Sequence, residues 1–169
     1  MVFLVTDEFL AALLGSGGKA MRFDPRLSHA WWTLRIGLGL APLLAGLDKY
    51  FNLLTNWEMY LNPLIPRLLH VSAPTFMHLV GVVEIVAGLL MFTRFTRYAA
   101  YIVMAWLLAI AGSLVTQGLF FDVAVRDVEM SLGAFALAKL TEVRESAMRE
   151  DAAIGEHSST DQKAARQIA

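Results

Sequence analysis

Apolar and polar positions along the chain alternate in long blocks rather than in short strands. Four apolar blocks stand out, at about 32–53, 74–92, 98–119 and 122–140, each near the roughly 20 residues that a bilayer-spanning helix needs. Trp31 and Trp32 stand at the start of the first, where indole rings suit the membrane–water interface. The second and third are joined by the short basic turn Thr93-Arg-Phe-Thr-Arg97, and Ser113 and Gln117 are the strongly polar side chains of the third. The fourth opens with Arg126, Asp127 and Glu129 before it becomes apolar. It is counted as spanning because those charges can pair inside a bundle.

Between the first two blocks, residues 55–73 carry Trp57, Tyr60, Pro63 and Pro66, which predicts an interfacial lid rather than a free loop. Residues 1–29 read as an N-terminal interfacial segment. Thr6 suits a helix cap, and Phe3, Phe9, Leu10, Leu13 and Leu14 form an amphipathic stripe that would lie on the membrane or on the bundle. Asp7 and Glu8 interrupt the apolar run, which argues against a signal peptide. After Thr141 the chain becomes charged and rich in Ser, Ala and Gln, so 142–169 is expected to be a polar, partly disordered tail. The predicted class is all-α: a four-helix transmembrane bundle over 30–141, with an N-terminal amphipathic helix and that tail.

Composition agrees with the membrane class. The chain is 57% hydrophobic and 17% charged, against about 45–50% and about 25% in soluble domains. Net charge is −1 and no basic stripe is visible, so nucleic acid is not an expected partner. The absence of cysteine removes disulfides, a thiol nucleophile and Cys-based metal sites. The four histidines are not placed at matching depths on facing helices, as bis-His haem within one chain requires. No metal or intrinsic cofactor is expected.

With four spans, Lys19, Arg22, Arg26, Arg94, Arg97, Arg144 and Arg149 fall on one side. The positive-inside rule makes that side cytoplasmic and puts both termini there, in a bacterial inner membrane.

The same topology gathers Lys49, His78, Gln117, Arg126, Asp127 and Glu129 in the outer half of the bundle. Glu84 lies beneath them, roughly 15 Å from the start of its helix at 1.5 Å per residue. An acid at mid-bilayer usually faces a bundle interior, a partner or a wet cavity. Gly81 and Gly88 share its helical face, and Gly37, Gly39 and Gly46 thin the first helix, so helices can come close there. Arg35, Pro42, Gly46 and Lys49 also fall near one face, which lets both cations point inward. Two readings stand. In one, the charges form an ion-pair network that orients the helices. In the other, they line a site for a small polar or quinone-like ligand, with Glu84 as proton acceptor.

The ordered motifs Arg35 with Gly37 and Gly39, Ala45-Gly-Leu-Asp-Lys49, Gly81-Val-Val-Glu84 with Gly88, Thr93-Arg-Phe-Thr-Arg-Tyr-Ala-Ala100 and Glu129-Met-Ser-Leu-Gly-Ala-Phe-Ala-Leu-Ala138 resemble the DoxX-like family of small four-helix membrane proteins. The resemblance implies a four-helix bundle and membrane redox chemistry, with a quinone as the ligand class. The Gly-rich turn and Ser-x-Asp that often end the family's last helix are missing after Ala138. The leading expectation is a subunit of a redox or quinone-linked membrane complex, with the bilayer and other membrane subunits as partners; a homo-oligomer is compatible with it. A non-catalytic assembly subunit and a small-solute or proton pathway are the alternatives.

Overall fold

The computed structural model describes residues 24–168, with side-chain environments through 157. The amphipathic helix expected near the N-terminus lies outside the described residues up to position 23. All regular structure among the described residues is helical: α1 Pro25–Asp48, a 3-10 turn Trp57–Tyr60, α2 Leu64–Leu69, α3 Ala73–Met91, α4 Thr96–Gln117 and α5 Phe121–Ile168. Residues Pro25–Glu142 form one compact unit, to which the packing and the site described below belong.

Helix boundaries follow from local chemistry. Pro25 opens α1, where its fixed φ suits the first turn and its missing N–H costs nothing. The first helix therefore starts earlier than the expected 32. It stops at Asp48 instead of 53 because the Asp48 carboxylate accepts from the backbone N–H groups of Leu53 and Leu54, which bends the chain back over the helix end. Ser72 caps α3 by accepting from Thr75 N at 3.3 Å. Gly118, at φ 70°, provides the left-handed residue that ends α4. At the other end of α3, Arg35 donates to Met91 O at 2.7 Å and Thr93 O at 2.8 Å. Those carbonyls have no intrahelical donor, so Arg35 serves as a cap in trans. It does not point into the middle of the bundle.

Antiparallel packing of α1 on α3 is set by glycine. A Cβ on Gly46 would stand 2.6 Å from Gly81 O, and one on Gly81 would stand 2.8 Å from Gly46 O. Two turns away, a Cβ on Gly88 would meet Gly39 O at 2.7 Å. Backbones touch at both crossings. The first part of α5 runs antiparallel to α1 and α4: Trp31 Nε1 donates to Thr141 Oγ1 at 2.7 Å, and Tyr101 OH to Glu142 Oε1 at 2.8 Å. Ala111, Leu114 and Ala124 form a buried cluster at the opposite end, closed by Tyr60 and Phe120.

Alanines share the interior with a few large side chains such as Met91, Leu114 and Leu137, while many large apolar side chains cover the outside. Ala99, Ala100, Ala134 and Ala138 are buried, whereas Leu44, Leu79, Val86, Leu89 and Val115 are exposed. A soluble core shows the reverse size order, and small-inside packing is how helices associate where lipid already solvates the apolar faces. Helices α1, α3 and α4 are long and apolar enough to cross a membrane. The fourth stretch does not match them: α5 carries Asp122, Arg126, Asp127, Glu129 and Lys139 within the expected span.

The expectation of a partly disordered tail is corrected for the described residues, because the backbone is helical through Ile168. Residues 142–168 lack proline and are rich in Ala, Glu, Arg and Gln, all strong helix formers. Extending a packed helix also avoids the cost of a new nucleus.

Candidate functional site

A cavity of about 540 Å³ lies among α1, the 3-10 turn, α2, α3, α4 and α5. Its wall is largely apolar, with Leu38, Met77, Val103 and Leu114 among the residues facing it. The charged side chains that line it are Lys49, Glu84, Arg126 and Asp127.

Lys49 follows the last residue of α1, and Glu84 sits mid-way along α3. Their side chains meet with Nζ 2.5 Å from Oε2, and both residues are buried. Gly46, one turn before Lys49, and Gly81, three residues before Glu84, are the backbones in contact at this level. That approach brings Lys49, at the end of α1, within reach of Glu84 at the centre of α3. The Lys49 ammonium also lies over the Trp57 ring, 3.7 Å from its centroid. Trp57 is held in turn by its Nε1–H, which donates to Asp48 Oδ2 at 2.8 Å. Asp48, Trp57, Lys49 and Glu84 thus form one continuous polar chain from the start of the connection to the middle of α3. The cation lies between a carboxylate and an aromatic face, both favourable to positive charge.

Asp127, on α5, is buried and lies within electrostatic reach of both Lys49 and Glu84. Arg126 Nη2 approaches Asp127 Oδ1 at 3.3 Å, but the Arg126 side chain is 61% exposed. The buried group therefore holds one cation, Lys49, and two acids, Glu84 and Asp127. Trp106 adds a donor from α4: its Nε1 is buried, within reach of Glu84, and makes no hydrogen bond of normal geometry.

Of the residues expected to share a pocket, Lys49, Glu84, Arg126 and Asp127 come together. The others do not. His78 is exposed and stacks on Tyr50 with centroids 4.8 Å apart, while its carbonyl accepts from Tyr50 OH. It lies six residues before Glu84, about 240° around the helix, which places it on another face of α3. Glu129 is exposed, two residues beyond Asp127 and about 200° around α5. Gln117 is half-buried and donates to Tyr60 O at 3.1 Å, joining α4 to the connection instead of lining the cavity. Gly81 and Gly88 are buried with Glu84 on one face. The structure adds Asp48, Trp57 and Trp106 to the residues that the sequence pattern singles out. The Asp-Lys pair at the end of the first apolar block was the available signal for Asp48; nothing in the spacing marks either tryptophan.

Among the described residues, no group of three His, Asp or Glu side chains is arranged to hold a metal ion. Comparison with protein-family models, with curated proteins and with solved structures finds no match to this chain.

Proposed function

We propose that this chain is a four-helix membrane subunit whose internal cavity binds a small quinone-like molecule within a redox-linked membrane complex. One observation carries this reading: a cavity of about 540 Å³ with apolar walls has its buried charges gathered at Lys49, Glu84 and Asp127. Ligand sites commonly combine apolar walls with a few convergent polar groups that fix orientation, and volumes of about 300–1,000 Å³ are typical. A Lys ammonium has three donors, so Lys49 can bind Glu84 and a ligand carbonyl together. The Trp106 N–H supplies a second donor. Glu84 accepts one of the two protons that a quinol head gives up and Asp127, the other buried acid of the cavity, the second, while the two electrons leave for a redox centre on a partner subunit. The redox setting and the partner rest on the DoxX-like resemblance carried by the ordered motifs from Arg35 to Ala138. The subunit sits in a bacterial inner membrane, with α5 as the fourth span and both termini cytoplasmic.

The test is a titration of the purified protein in detergent with a decyl-tailed benzoquinone, read by quenching of tryptophan fluorescence. Saturable quenching is expected, with affinity weakened about tenfold in Lys49→Ala, near the effect of one lost charged hydrogen bond. Unsaturable quenching that is identical in Lys49→Ala and Glu84→Gln overturns the reading. Co-purification from native membranes in mild detergent, followed by mass spectrometry, tests for the partner.

A second reading is favoured by one feature: the ion pair lies beside the Gly46–Gly81 crossing, where it also locks α1 onto α3. In a purely structural assembly subunit, Glu84→Gln lowers stability or assembly but leaves turnover of the assembled complex unchanged.

A further inference from the structure

The cavity wall is interrupted at the protein surface. Val83 on α3 is 45% exposed and Ile102 on α4 is 52% exposed, yet both also line the cavity. Ala109, further along α4, is likewise exposed and cavity-lining. Residues that belong to both surfaces mark a mouth, and this one lies between α3 and α4. The opposite side of α3 is closed, because there it touches α1 backbone to backbone.

The depth of this mouth decides what it opens onto. Val83 lies eight residues before Met91, the end of α3, and Ile102 six after Thr96, the start of α4. At 1.5 Å per residue these are roughly 12 Å and 9 Å from the turn joining the helices. The two side chains therefore stand at similar depth, well inside a hydrocarbon core about 30 Å thick. Both rim side chains are apolar. Immediately within, Glu84 is the next residue after Val83, and Trp106 lies one turn on from Ile102.

We propose that the cavity is loaded sideways from the bilayer through this α3–α4 opening. Its ligand is a lipid-tailed molecule with a small polar head: the head reaches Lys49 and Glu84 while the tail passes between Val83 and Ile102. This rests on the cavity being a ligand site and adds where the ligand comes from. The other cavity-lining residue at the surface that could admit a ligand, Arg126, is charged and gives the competing aqueous route.

The experiment uses the full chain in phosphatidylcholine vesicles, with bromine on the acyl chains or without it. Bromine quenches indole at short range, and the Trp106 part is the difference between the chain and its Trp106→Phe variant. Bromine-dependent quenching of Trp106 is expected, and Val83→Phe or Ile102→Phe should cut it by about half or more by filling the opening. Leu89→Phe, on the exposed face of α3 and away from the cavity, should leave it unchanged. Circular dichroism checks that each variant is helical, and the two rim variants serve independently if one misfolds.

Quenching that both rim variants leave intact overturns the proposal. So does quenching of Trp106 by aqueous acrylamide but not by brominated lipid; the cavity reading then survives if the quinone titration saturates. If neither experiment gives a signal, both readings fall. Repeating the measurement with the decyl-tailed benzoquinone identifies the source of the tail. A fall in the bromine-dependent ratio means that a quinone-like molecule occupies the cavity, and an unchanged ratio means bulk phospholipid; both uphold the lateral route.

Discussion

Lys49 Nζ stands 2.5 Å from Glu84 Oε2, across 35 positions of sequence, with both residues buried. The pair ties the end of α1 to the middle of α3. Removing one member of a buried pair leaves the other charge without compensation, which costs about 3–5 kcal/mol, while replacing both by apolar residues of similar size is often neutral. Lys49→Met and Glu84→Leu are therefore each expected to lower thermal stability strongly in detergent. The double variant should recover most of that loss. Thermal unfolding of the four proteins closes a double-mutant cycle. If either single variant is as stable as the parent, the pair is not the clamp described.

The glycine crossings make a sharper contrast. A Cβ at Gly46 would stand 2.6 Å from Gly81 O, a backbone atom that can move only if a helix moves. Gly46→Ala and Gly81→Ala are expected to destabilise by about 1–3 kcal/mol, the usual cost of overpacking, and to weaken the Lys49–Glu84 contact beside them. At Gly37 a Cβ meets nothing within 4 Å. Gly37→Ala should stabilise α1 by up to about 1 kcal/mol, because alanine restricts the unfolded chain and favours helix. Melting temperatures of the three variants, measured in one detergent, check the order.

The sequence made this crossing partly legible. Gly81, Glu84 and Gly88 fall on one helical face by spacing alone, and Gly46 lies one turn before Lys49 on another. Apolar block length likewise located α3 and α4 closely, and Ser72 at the start of α3 and Gly118 at the end of α4 are caps legible in the sequence. What spacing did not reveal was rotation and reach. Depth along the helices groups His78 and Glu129 with Lys49, but depth says nothing about azimuth, and both lie on exposed faces. Trp57 is invisible for another reason: its place over Lys49 depends on a hydrogen bond to Asp48 that folds the connection back over α1. Block length also missed the early start of α1, because Pro25 starts the helix among polar residues.

Glu142 gives a pH dependence outside the apolar spans. A hydrogen bond from Lys139, and next one from Tyr101, hold its carboxyl below the usual glutamate range. A carboxyl whose folded-state pKa is depressed contributes stability above its unfolded pKa of about 4.5 and loses it as pH falls through the folded value. The parent is thus expected to be more stable than Glu142→Gln at pH 7, with the gap closing as pH drops below about 4.5. Thermal unfolding of both proteins across acidic pH reads this directly. A gap that persists at the acidic end would assign the effect to packing rather than to the charge.

The proposal that α5 is a fourth span has a consequence that can be measured from the two sides of a membrane. The chain contains no cysteine, so single cysteines can be introduced without further change. Arg67, in α2, follows the first apolar helix, and His157 follows the charged start and apolar middle of α5; both are exposed. If α5 crosses, an even number of spans separates His157 from the N-terminal side, and an odd number separates Arg67 from it. Arg67→Cys and His157→Cys should then react with a membrane-impermeant maleimide from opposite faces of sealed vesicles. Crossing with five charged residues costs less than their sum, because Asp127 is buried beside Lys49 and Arg126, and Lys139 is held by Glu142. Labelling of both cysteines from one face would mean that α5 does not cross.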